Sequence, residues 1–249
     1  MGPLAVVIPA LEEAARLPLL LADLAAAPPG LLRERLVVDG GSGDGTAAIA
    51  RLAGATVIHS PAGRGRQLQG GVAASTAPWL LLLHADARLP LGWGEAVAAA
   101  LAVADAAGPQ AWCFDLAVEG PGWTLRLLEL AVAWRTRLRQ LPYGDQGLLL
   151  PRSLLERCGG VPPLPLMEDL ALVLRLRRLA RIRSLGLPLR VDGRRWRRHG
   201  VLGCAWRNAR LRRAWRRGCS GEELARRYYG EYQKAQRRLW GSRSQPWAP

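Results

Sequence analysis

The stretch WLLLLHAD, residues 79–86, decides the fold. A strand with one wet face alternates apolar and polar side chains, so four consecutive leucines, Leu80 to Leu83, would leave two of them in water. A run that is apolar on both faces belongs to a parallel sheet covered by helices on both sides. The run stops at His84 and Asp86. In open α/β sheets the ligand crevice lies outside the carboxyl ends of the strands, so these two polar residues are expected to face it.

Working outward, similar runs recur as LAVVIPA (4–10), RLVVDGG (35–41), ATVIHSP (55–61) and AWCFDLAVE (111–119). Between them EEAARLPLLLADLAAA (12–27), GTAAIARLAG (45–54), GRQLQGGVAAST (65–76) and GWGEAVAAALAVADAA (92–107) carry helical periodicity. The alternation predicts an α/β fold with a mostly parallel central sheet flanked by helices. Pro9, Asp39, His59, His84 and Asp86 fall at its carboxyl edge. Beyond these, GWTLRLLELAVAWRTRLRQ (122–140) reads as an amphipathic helix, GLLLPRSLLERCGG (147–160) as a strand and short helix, and MEDLALVLRLRRLAR (167–181) as a further helix. Two basic helices are expected at roughly 201–217 and 221–240. The economical division is one domain over 1–200 with 201–249 as its basic helical extension.

With 249 residues, 49% of them hydrophobic, the chain can bury a full core. No apolar run approaches the roughly 18 residues of a spanning helix, and the first residues lack the basic and small-residue features of a secretion signal, so a cytoplasmic protein is expected. Cys113, Cys158, Cys204 and Cys219 form no CxxC pair, which argues against a zinc knuckle or a disulfide framework. Net charge is +15, basic residues crowd between Arg175 and Arg238, and Lys234 is the sole lysine. Schiff-base and P-loop chemistry in the first two hundred residues is thereby excluded, since both need a lysine. An arginine-rich face with Trp206, Trp215 and Trp240 interspersed suits peripheral contact with an anionic membrane. The chain carries no RRM, KH or zinc-finger signature, and nucleic acid is not the expected partner; arginine-rich nucleic-acid binding is the non-enzymatic alternative.

The polar residues at the strand ends carry the chemistry. Asp39 closes an apolar strand, where a charge is costly unless paired, and its carboxylate can accept from a base imide N–H. The loop VVDGGSGDGT (37–46) has no P-loop lysine and completes no GxGxxG. Asp86 suits a divalent cation bridging a diphosphate, with His84 as a second ligand or as its orienting partner. Glu168 and Asp169 open a helix, and a carboxylate there can act as general base. Gly144-Asp145-Gln146 forms a turn able to reach a sugar hydroxyl, and Arg64 and Arg66 can clamp phosphate. Each also has an ordinary reading as turn, cap or solvated loop.

Taken in order, IPALEEA (8–14), VVDGGSGDGT (37–46), GRGRQLQGG (63–71), HADARLP (84–90), GDQGLLLPRSLLERCGGVPPLPLMEDLAL (144–172) and GRRWRRHG (193–200) resemble the family 2 glycosyltransferases of GT-A fold. More narrowly they resemble the arsenosugar-biosynthesis, or radical-SAM/selenodomain-associated, subgroup. The resemblance implies inverting transfer of a sugar from a nucleoside diphosphate sugar to a small-molecule or lipid acceptor, assisted by a divalent cation, Mn²⁺ or Mg²⁺. It implies that Pro9, Glu13 and Asp39 shape the nucleotide pocket and that Arg66 approaches the diphosphate. Asp86 would be the retained ligand of a DxD whose first position is His84. Asp145 and Gln146 would face donor sugar or acceptor, and Asp169, beside Glu168, would be the base. Arg195 and Trp196 stand in the place of the QxxRW element of processive relatives, and His199 where some relatives carry a further metal ligand. The departures are Glu12 for the usual Asn, His84 for Asp, and Asp192 for Gln, so processivity is not implied. A sugar-1-phosphate nucleotidyltransferase is the alternative enzyme; it wants a basic glycine-rich loop after the first strand, where IPALEEA offers acid.

Overall fold

The computed structural model describes residues 2–108 and 110–228. Leu4–Ala10 forms β1, buried along its whole length. In chain order follow α1 (Leu17–Ala25), β2 (Leu32–Asp39), α2 (Thr46–Leu52), β3 (Thr56–His59), α3 (Arg64–Ala74), β4 (Trp79–Leu82), β5 (Ala87–Arg88) and α4 (Trp93–Ala107). The second half runs β6 (Gln110–Val118), α5 (Trp123–Arg139), a 3₁₀ turn at Gly144–Gln146, β7 (Leu148–Pro151), α6 (Arg152–Arg157), α7 (Glu168–Leu176), β8 (Arg181–Val191), α8 (Arg194–His199) and α9 (Val201–Arg216).

One sheet orders its strands β3-β2-β1-β4-β7-β6-β8-β5. The first four are parallel neighbours, β7 runs antiparallel between β4 and β6, and β6 pairs parallel with β8. The mostly parallel α/β architecture expected from the alternating runs is therefore present. Alternation splits the leucines of β4, and Leu83 just after it, between two cores. Leu81 and Leu83 pack with Leu20, Leu24 and Val97 from α1 and α4. Leu80 and Leu82 pack with Leu68, Leu154 and Leu172 on the opposite face.

One segment departs from the periodicity, and another takes a form the sequence pattern left unassigned. The first helix begins at Leu17, not at residue 12, because Glu12 takes φ 56° and the chain turns sharply before Pro18. The stretch 181–191 is a long strand whose end receives β5: Ala87 pairs with Val191 and Arg88 with Arg190. Of the predicted helix 221–240, residues 221–228 are helical and the remainder, with Lys234 and Trp240, lies outside the described residues. Among the described residues no helix is long and apolar enough to cross a membrane. Cys113, Cys158 and Cys204 are buried thiols.

Candidate functional site

Three loops meet at the carboxyl edge of the parallel strands. The loop after β1 is laced to the glycine-rich loop after β2: Glu12 N donates to Ser42 Oγ at 3.0 Å, Glu13 N to Thr46 Oγ1 at 2.9 Å, and Ala14 N to Asp44 Oδ2 at 2.9 Å. In return Gly43 N donates to Glu12 Oε1 at 2.6 Å. Glu12 takes a left-handed backbone, φ 56°, a region that Asn tolerates better than Glu. Gln67 on α3, buried at 3% exposure, fastens both strand ends by donating to Ala10 O and Val38 O at 2.8 Å each.

Asp39 is 2% exposed, yet it is fully supplied with donors. Its oxygens accept from Gly41 N at 3.2 Å, from Ser42 N, and from the Ser42 hydroxyl at 2.5 Å, and His59 Nδ1 lies 3.5 Å away. Pro9 is buried in β1 opposite Val38.

The centre of the crevice is acidic and rimmed by arginine. Burial, with the charge of Asp86 next, pushes Glu13 up to about 7; Arg194 and Arg64 pull the other way. Glu13 Oε2 is buried without a hydrogen-bond donor, while Oε1 lies 3.5 Å from Arg194. Arg194 is held by Asp192, which is 4% exposed and also grips Arg16 at 2.8 Å and Arg197 at 3.5 Å. Because β5 pairs with β8, the turn carrying Asp86 and the strand end carrying Asp192 arrive together.

At the far side Gly144 N donates to Asp169 Oδ2 at 2.8 Å. Gly144 is required for this approach: a Cβ there would stand 2.7 Å from His84 Nε2 and 3.4 Å from Asp169 Oδ2. Met167, at φ 67°, turns the chain so that Glu168 and Asp169 start α7 facing inward. Non-Gly residues held in this region are costly and cluster at functional sites. Burial and the neighbouring Asp169 charge raise Glu168 to about 7, against the pull of Arg64. A cavity of about 40 Å³ is lined by His84, Glu168 and Asp169 together with Leu82, Leu148 and Leu172. Gly65 lets α3 come this close, since a Cβ there would sit 2.3 Å from Pro162 O.

The structure thus gathers Glu13, Asp39, Asp86, His84, Glu168 and Asp169 along one edge. It places other candidates elsewhere. Gln146 is fully buried and its amide is spent inside the fold, donating to Phe114 O and accepting from Thr136 Oγ1 and Arg135, so it does not face a sugar. Asp145 is half-buried in the same turn. Arg66 is exposed on α3, and it is Arg64 whose charge reaches Glu13 and Glu168. Trp196 packs in the core with Leu116, Val118 and Val191. The Arg195 side chain lies outside the described residues. His199 lines a separate basic cavity of about 320 Å³ with Arg207 and Arg210, and His84 turns toward Gly144. Asp86, His84 and His199 therefore do not form one ligand set; among the described residues no three His, Cys, Asp or Glu side chains do. Arg16, Asp192 and Arg194 escape a sequence reading as site residues because only the folded loops reveal their partners.

The fold is that of a GT-A-type glycosyltransferase. The chain belongs to glycosyl transferase family 2, whose sequence model matches residues 5–155. It is 32% identical over 169 residues, 63% of this chain and 74% of the relative, to uncharacterized glycosyltransferases of Mycobacterium tuberculosis and Mycobacterium bovis. Among solved structures it is similar in fold to glucosyl-3-phosphoglycerate synthase from Mycobacterium tuberculosis in complex with Mn²⁺, UDP and glucosyl-3-phosphoglycerate. That likeness has a TM-score of 0.53 at 23% identity, covering 75% of this chain and 71% of the other. The fold is also like that of TarS from S. aureus, with a TM-score of 0.58 at 17% identity, covering 78% and 61%.

Proposed function

We propose that this glycosyltransferase moves a sugar from a nucleoside diphosphate sugar to an acceptor hydroxyl with inversion. The observation that carries the reading is the placement of Asp169, fixed by the Gly144 amide across the crevice from Asp39, with Glu13 and Asp86 between them. Asp39 and the loop it organises receive the base, and Arg64 and Arg194 face the phosphates. Asp169 accepts the acceptor proton as the acceptor oxygen bonds to the anomeric carbon and the bond to the diphosphate breaks. Glu168 beside it keeps a proton near neutrality and limits the negative charge around the base.

The Glu13–Asp86 pair fits a divalent cation. A buried carboxylate oxygen without a donor, next to a second acid, lacks positive charge, and Mg²⁺ or Mn²⁺ is commonly held by one or two carboxylates plus substrate phosphates. When bound, such an ion offsets charge on the departing diphosphate. The solved relative with UDP and Mn²⁺ supports this reading. The order of the motifs supports the narrower arsenosugar-type subgroup and one transferase domain over 1–200 with 201–249 as its extension. The test is a screen of nucleoside diphosphate sugars for nucleotide release, with and without Mn²⁺ or Mg²⁺. Metal-dependent release with one donor is expected; tight UDP binding without turnover of any donor overturns transfer.

A further inference from the structure

We propose that the outward face of α5 docks onto a bilayer carrying anionic headgroups. The helix has two apolar sides. Leu125 and Val132 point inward and pack with Trp196 of α8 and Cys204 of α9. Outward stand Trp123, Leu127, Leu130, Trp134 and Leu138, exposed by 73%, 53%, 66%, 69% and 62%. At about 100° per residue these five fall within a strip about 80° wide, opposite the buried side and about 22 Å long. A solvated helix carries charge at such positions, and a contiguous apolar strip of this kind marks an interaction surface.

Charge identifies the partner. Arg126 and Arg137 lie along one edge of the strip, paired with Glu129 at 2.8 Å and Asp115 at 3.4 Å, and exposed Arg139 closes the helix. Elsewhere on the surface α8 and α9 expose Arg198, Arg210 and Arg213, together with Leu202 and Trp206 at 83% and 64% exposure. A second copy would set one arginine-rimmed strip against another in a chain of net charge +15, and like charges across an interface are repelled. Leucine and tryptophan rimmed by arginine instead match the boundary between acyl chains and anionic headgroups. The sequence pattern points to the helices after residue 200 for such contact. Of their tryptophans, Trp215 is partly buried against Leu166 and Leu211, and the structure shifts the main apolar surface to α5.

On its flank α5 also holds the site. Arg135 and Thr136 donate to Gln146 Oε1 at 3.0 and 3.1 Å, anchoring the turn whose Gly144 fixes Asp169. Docking therefore brings that turn within about one helix diameter, 10–12 Å, of the headgroups. The docking does not rest on the sugar-transfer reading, and its test involves no turnover.

The experiment is flotation of the full chain at low salt with vesicles of phosphatidylcholine alone and of phosphatidylcholine with phosphatidylglycerol, following tryptophan emission in parallel. Expected are about tenfold stronger partition onto the anionic vesicles and a blue shift on binding. The pair Leu130→Glu and Trp134→Glu lowers that partition by about tenfold with the thermal midpoint kept. Leu127→Gln with Leu138→Gln serves as a second pair if the first reduces folded yield. The proposal is overturned by equal partition onto both vesicles, by a variant that binds as well as the parent, or by light scattering that shows a dimer the variant dissociates.

Discussion

The end of β2 and the start of α7 each bury a carboxylate to 2% exposure, and they treat it in opposite ways. Asp39 is met by two backbone N–H groups and a hydroxyl. Glu168 is met by apolar walls and by a second acid, and it rises to about 7. Hydrogen bonding to the charged form favours it, and burial beside a like charge disfavours it, which is the position of Glu168. One end of the crevice is a rigid acceptor suited to recognition. The other keeps a proton close to neutral pH, where acid–base chemistry works best.

The sharpest way to break this contrast is Asp169→Asn. Its amide oxygen can still accept from Gly144 N, so the turn should hold, but it cannot take a proton. Turnover should fall by about 10²- to 10⁴-fold with donor affinity unchanged in calorimetry; an equal loss of both would make the α7 end a binding station as well. Next comes Asp39→Ala, which strands the Ser42 hydroxyl and the two amides. Nucleotide affinity should weaken by about 1–3 kcal/mol, read by UDP titration, with kcat nearly kept. Unchanged affinity would remove β2 from recognition.

The smallest effect is on stability. The unfolded Glu168 releases its proton near 4.5, whereas the folded one keeps it to about 7. The folded state thus binds more protons between these values, and this group's contribution is full below 4.5 and lost as pH rises through 7. The thermal midpoint of the ligand-free protein should fall across that window, and Glu168→Gln should flatten the fall. Identical slopes in both proteins would assign the pH dependence to another acid.

Much of the frame was legible because strands buried on both faces are continuous apolar runs, so LAVVIPA and WLLLL announce themselves. Asp39, Asp86 and Asp169 stood out as charges at the ends of such runs or of a helix. Gln146 misled, since a polar residue in a turn looks like a ligand contact until its core partners are known. Asp192 and Arg194 sat inside a motif read for its tryptophan, and their pairing with Arg16 and Glu13 exists only after the chain returns to its beginning. Periodicity marked α5 as amphipathic, but a 3.6-residue pattern cannot say which apolar side faces in when both are apolar.

The two-residue pairing of β5 with β8 has a bearing on how the protein is made. Asp86 leaves the ribosome early, yet the neighbour that pins its turn, Val191, emerges roughly a hundred residues later, and closing a loop of that length carries an entropic cost that grows with the logarithm of its length. The parallel pairing of β1 to β4 joins strands that are all early in the chain. The acidic centre waits for the last strand, so a nascent chain stalled before it would have its Asp39 loop but lack the β8 side chains Ile182 and Leu189 of its core and the partner that pins the Asp86 turn.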